Sequence, residues 1–264
     1  MNVDVYMPIA YLRRLSGRTR TRSANQQLGV FLAFVAGAVN AGGFLAVHQY
    51  TSHMTGFISS TADNLVLGNA LLVLAGLGSL LSFLCGAATT AILINWARHR
   101  NMHAEYALSL AIEALLLLIF GLLGANLNAY TSVTLPTTVI LLCYIMGLQN
   151  AIVSKISNAE IRTTHVTGII TDLGIELGKM LYWNRSNDKT AIGHVHANKE
   201  KLMIHMAILL MFFIGGIIGA LGFKHVGFMT VVPFACALLL LALMPIIDDA
   251  LFYLRAMRKQ LPRE

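Results

Sequence analysis

Apolar residues along this chain gather into six runs, at 28–47, 70–96, 106–125, 134–153, 202–222 and 229–247. Each is close to the roughly 20 residues a helix needs to cross a hydrocarbon core about 30 Å thick. The pattern predicts six transmembrane helices. The first run follows a basic segment and has no small-residue cleavage site, so it reads as a retained span and not as a signal peptide.

Two further segments, 54–68 and 166–180, mix apolar with polar positions. At about 15 residues each they reach roughly 22 Å as helix, too short to cross. Each follows a polar stretch, 48–53 or 155–165, that at about 3.3 Å per residue can run back toward the membrane centre. Each opens on Thr-Gly, as Thr55-Gly56 and Thr167-Gly168. There a Thr oxygen is expected to cap a free amide and the Gly to leave room for a ligand. The expectation is two re-entrant half-helices whose N-termini meet near the bilayer centre. Backbone at that depth must be buried in protein or line a cavity, and two helix N-termini make such a place attractive to anions.

The chain also matches itself. Gly37-Ala38-Val39-Asn40-Ala41 is followed by His53-Met54-Thr55-Gly56, and Gly147-Leu148-Gln149-Asn150-Ala151 by His165-Val166-Thr167-Gly168. A weaker match sets Phe83 and Gly86 against Phe213 and Gly216. Each copy holds three spans, so the second enters the membrane from the opposite side, as in many secondary transporters. The fold expected is therefore all-α and polytopic, an inverted 3+3 repeat of residues 28–133 and 134–250. Basic tails flank it at 1–27 and 251–264.

Composition agrees. Apolar residues make up 56% of the 264, and charged residues 12%, about half the ~25% of soluble domains. That excludes an ordinary soluble enzyme, a disordered chain and a disulfide scaffold. The three cysteines, Cys85, Cys143 and Cys236, lie far apart in apolar runs and read as small core residues, with no metal site. The net charge of +7 reflects Lys and Arg in the tails and in the loops around Arg98 and Arg185, against Lys224 alone on the other face. By the positive-inside rule both termini are cytoplasmic. The basic excess then orients the chain and meets lipid, and implies no nucleic acid.

Charge inside the apolar region is scarce enough to matter. Asp63, Asp172, Glu176 and Glu113 fall in membrane segments, where four lipid-facing carboxylates would cost on the order of 10 kcal/mol. They must face protein, water or the interface, or be protonated. Asp63, Asp172 and Glu176 are candidates for ion coupling, with a Glu176–Lys179 interfacial pair the alternative, and Glu113 for pairing with Arg98, Arg100 or another polar helix. His53, Thr55, Gly56, His165, Thr167 and Gly168 are candidate solute ligands. The amides of Asn40 and Asn150 join them, or serve helix packing together with Gln149. Small residues at Gly78, Ser82 and Gly86, and at Gly215 and Gly219, predict close helix contacts, within the chain or in a homo-oligomer.

These motifs, His53-Met54-Thr55-Gly56 with Gly147-Leu148-Gln149-Asn150-Ala151 and Thr163-Thr164-His165-Val166-Thr167-Gly168, resemble the YoaK family of bacterial integral membrane proteins. The resemblance runs over about residues 28–250 and names no substrate. The chain departs from the family pattern at Ala38-Val39-Asn40, where an acidic residue is expected. Paired half-helices in inverted repeats are also similar, at the level of fold, to sulfate and uracil permeases. The expected function is an inner-membrane transporter or permease for a small anionic or polar solute, with no cofactor. A non-transporting structural or regulatory membrane protein is the alternative. An intramembrane enzyme is a third reading, which no nucleophile or metal spacing supports.

Overall fold

A computed structural model describes residues 21–125, 131–182 and 195–260. Much of the charge that argued for orientation (Arg13, Arg14, Arg18, Arg20, Arg185, Lys189 and Arg263) lies outside the described residues. The elements are α1 (Arg22–Val47), α2 (Met54–Val66), α3 (Ala70–His99), α4 (Ala107–Ala125), α5 (Thr131–Ile156), α6 (Val166–Leu181), α7 (Lys199–His225), a 3-10 turn (Gly227–Thr230) and α8 (Val231–Gln260). Among the described residues there is no strand. Six of these helices are long and apolar enough to cross a membrane, and the protein is a multi-pass membrane protein. The short helices α2 and α6, with 13 and 16 residues, are not long enough.

The helices overrun the apolar runs because hydropathy marks what can sit in lipid, while backbone hydrogen bonding continues to the next cap. Helix α1 starts at Arg22, inside the expected 1–27 tail, where the Thr21 side chain accepts from the Ala24 amide at 3.2 Å. Arg22 itself pairs with Glu160 at 2.6 Å and Glu200 at 3.1 Å. Helix α7 starts at Lys199, capped by Asn198, which accepts from the Lys201 amide at 3.0 Å.

Burial sorts the spans into three kinds. In their most apolar stretches α1 and α5 are each 61% buried, α4 and α8 44%, and α3 and α7 only 17% and 22%. So α1 and α5 form the interior, and α3 and α7 turn most of their apolar surface outward. Helix α1 crosses α7, α3 crosses α5, and α4 packs on α8. The short helices lie along α3 and α7 respectively.

Lipid tails supply no hydrophobic drive between helices, so close approach depends on small residues. A Cβ on Gly37 would come within 3.0 Å of the Phe212 carbonyl, and one on Gly147 within 3.0 Å of the Phe83 carbonyl. Gly86 meets Tyr144 in the same way, Gly215 meets Phe34 and Gly219 meets Ala38. Gly78 belongs to the same predicted stripe but has nothing within 4 Å. Ser82 donates to the Ile140 carbonyl at 2.7 Å.

Glu113 is fully buried and lies beside Gln149, not beside Arg98 or Arg100. Arg98 is taken by Glu105 and the Tyr106 hydroxyl, and Arg100 lies over the Trp96 ring. The three cysteines are free, but Cys143 alone is a buried core residue: Cys85 and Cys236 lie on outward faces of α3 and α8 and are exposed.

Candidate functional site

The site is built where the chain turns back after α1 and after α5. Helix α1 ends on His48, whose φ of 55° breaks the helix. Tyr50 then stacks on Phe44, ring centroids 4.4 Å apart. The next residue but one, Ser52, donates from its hydroxyl (2.9 Å) and amide (3.3 Å) to the Asn40 side-chain oxygen. After α5 the chain turns through Asn158 and Ala159, with φ of 51° and 63°. Conformations of that kind cost about 1–3 kcal/mol for a non-glycine residue and gather at functional sites. Thr164 then donates to the Asn150 side-chain oxygen at 2.8 Å. Each Asn, on a central helix, thus holds the segment that leads into a short helix.

These segments and the first turns of α2 and α6 enclose a cavity of about 690 Å³, within the range of about 300–1,000 Å³ usual for small-molecule sites. It brings together Asn40, His53, Thr55, Asn150, His165 and Thr167, along with Tyr50, Arg162, Phe83 and Phe212. Two smaller spaces flank it. One, of about 180 Å³, is lined by Tyr50, His53, Gly56 and Ser60. The other, of about 420 Å³, is lined by Arg162, His165, Gly168, Asp172 and His205.

Gly56 and Gly168 therefore border the side spaces and not the main cavity. Their role also differs from the expected one. A Cβ on either would run into the ring of His53 or His165, which folds back over the first turn. The glycines make room for an imidazole. The expected Thr caps do not form: His53 and His165 occupy the N-cap positions without side-chain capping, and Thr55 and Thr167 lie within the first turn. The first-turn amides of both helices thus have no intrahelical acceptor and no side-chain cap.

The three candidate acids separate. Asp63 is exposed and borders none of these spaces. Asp172 borders the larger side space, 3.2 Å from Lys201 and 3.8 Å from the buried His205. Glu176 is buried away from it, bonded to Lys179 at 2.8 Å and to the Asn198 amide at 2.7 Å. Those two partners, Lys179 first, hold its carboxyl below the ordinary value.

Sequence reasoning passed over Tyr50, Arg162 and His205. The signal for the first two was present, since each stands three residues before a repeated His. The signal for His205 was absent, because α7 places it against Asp172 only through packing. Among the described residues no cluster of His, Cys, Asp and Glu converges as a metal site would.

The chain is 28% identical over 194 residues to UPF0700 transmembrane protein YoaK of Bacillus subtilis (strain 168), covering 72% of this chain and 80% of that one. No solved structure matches it. The family described as protein of unknown function (DUF1275) matches residues 28–244, which reach into all six spans and include the residues that line the cavity, and the chain belongs to that family.

Proposed function

We propose that this protein is an inner-membrane transporter or permease for a small anionic or polar solute, bound in the 690 Å³ cavity between the N-termini of two re-entrant half-helices, α2 and α6. The observation that carries this reading is the pairing of the cavity wall. Asn40 has its counterpart in Asn150, His53 in His165, Thr55 in Thr167, and Phe83 in Phe212. Within each segment the pairs keep one constant separation along the chain. The helix crossings follow the same rule, since Gly37 against Phe212 matches Gly147 against Phe83, and Gly215 against Phe34 matches Gly86 against Tyr144. The register is one residue from the direct sequence match, which set Phe83 against Phe213.

This pairing supports an inverted repeat whose pseudo-two-fold axis runs through the cavity. Rocking one half against the other then exposes the site to each side in turn. In this arrangement both termini are cytoplasmic, and the half-helix dipoles point into the cavity from opposite sides. The acids do not obey the pairing: the position equivalent to Asp172 is Ser60. Coupling by a carboxylate is assigned to Asp172, which borders a side space, and not to the exposed Asp63.

Flux assays in proteoliposomes against a panel of organic and inorganic solutes test the proposal. Gly56→Val and Gly168→Val, which displace the two imidazoles, are expected to abolish flux in protein that still folds. If no solute moves and none stabilises the protein, transport is rejected.

A further inference from the structure

Among the positions of the cavity wall that pair, one pair differs in charge. Amide stands opposite amide, hydroxyl opposite hydroxyl, imidazole opposite imidazole and phenyl opposite phenyl, but Tyr50 stands opposite Arg162. Resting on the solute site proposed above, we infer that Arg162 makes the substrate a small organic monocarboxylate, held with its carboxylate toward the α5–α6 segment and its remainder against Phe83, Phe212 and Tyr50.

Charge comes first. Among the described residues that line the cavity, Arg162 is the one with an obligate charge, and none is acidic. Its nearby carboxylates are already engaged: Glu160 by Arg22 at 2.6 Å and Asp172 by Lys201 at 3.2 Å. Among the described residues no ion pair forms with Arg162 itself. An unneutralised guanidinium presents a planar fork of donors, which matches a carboxylate in bidentate fashion. One fixed positive charge suits a monoanion. A dianion would need a second, and no Lys or other Arg lines the cavity among the described residues.

Size and wall decide the rest. At about 30 Å³ per water-sized unit, an inorganic ion would leave most of 690 Å³ unfilled. Two phenyl rings on the wall favour a carbon body over bulk water. The mismatch in charge between Arg162 and Tyr50 also gives the bound solute a direction along the site.

The test measures thermal stabilisation of the purified full chain at fixed ionic strength. The probes are lactate, pyroglutamate and benzoate, their neutral amides, and chloride, sulfate and phosphate. At least one carboxylate is expected to stabilise the protein, its amide not. Arg162→Gln is expected to weaken that affinity on the order of tenfold to a hundredfold, the span of a charge-assisted hydrogen-bonded pair. Arg162→Lys, which keeps the charge without the fork, is expected to recover part of it. Arg162→Gln must show the ligand-free melting behaviour of the parent, and if it does not, Arg162→Lys alone carries the comparison. Equal binding of the amides, binding by inorganic anions only, or an undiminished carboxylate affinity in the Arg162 variants would each overturn the monocarboxylate assignment. All three would leave the solute site standing. Absence of any stabilisation by any probe, together with no flux, overturns both.

Discussion

Replacing Gly147 by Ala adds one methyl group where α5 crosses α3. The new Cβ would lie under 3.0 Å from the carbonyl oxygen and carbonyl carbon of Phe83 and 3.0 Å from its Cα, all backbone atoms that no side-chain rotation can move away. Ordinary contact begins at 3.4 Å, so the two helices must part by roughly 1–1.5 Å, an overpacking that costs typically about 1–3 kcal/mol. Helix propensity works the other way, favouring Ala over Gly by about 1 kcal/mol at most, and packing therefore decides the sign. Gly37→Ala strikes the Phe212 backbone in the same way, and a similar cost is expected there. Gly78→Ala is the control. With nothing within 4 Å of its Cβ, only the propensity gain remains, and a neutral or slightly stabilising result is expected. Reversible unfolding in mixed micelles, read by helical circular dichroism, compares the three. A Gly147→Ala variant as stable as the parent would refute the close crossing. Unequal costs at Gly37 and Gly147 would refute the equivalence of the two halves.

Asp172→Asn removes the carboxylate facing Lys201 and His205. If Asp172 couples uptake to protons, the variant loses the pH dependence of flux, and a folded variant with unchanged pH dependence rejects that role. Glu176→Gln acts on stability. Its carboxyl lies below the ordinary value of 4.5 in the folded protein, held there by Lys179 and the Asn198 amide. A group more acidic when folded stabilises the fold above its unfolded value and loses that contribution as pH falls through the folded one. Acid unfolding of the Gln variant is expected to show a shallower loss of stability below about pH 4.5, and a slope matching the parent's contradicts the pair.

The sequence by itself determined what each segment must do with respect to lipid. Six apolar runs, scarce charge and a repeated Asn and His-x-Thr-Gly pattern follow from local composition and spacing. They suffice to place six spans and to single out six of the residues that meet in one cavity. They do not determine which atoms of those residues face which partner. The Thr-Gly pairs read as caps and ligand approaches, yet the His rings occupy the space over Gly56 and Gly168, because a residue just before a helix start can fold its side chain back over the first turn. Asn40 and Asn150 read as solute ligands, and the fold also uses them to hold the return segments. The three acids looked alike on helical faces. Packing against α7 gave Asp172 a cation and an imidazole beside a cavity and buried Glu176, whose pair with Lys179 the i, i+3 spacing already offered, while Asp63, on α2, stays exposed. Hydropathy depends on each residue's own transfer energy and is legible one window at a time. The partner of a polar atom depends on which helices cross and in what register, and only the tertiary structure decides that.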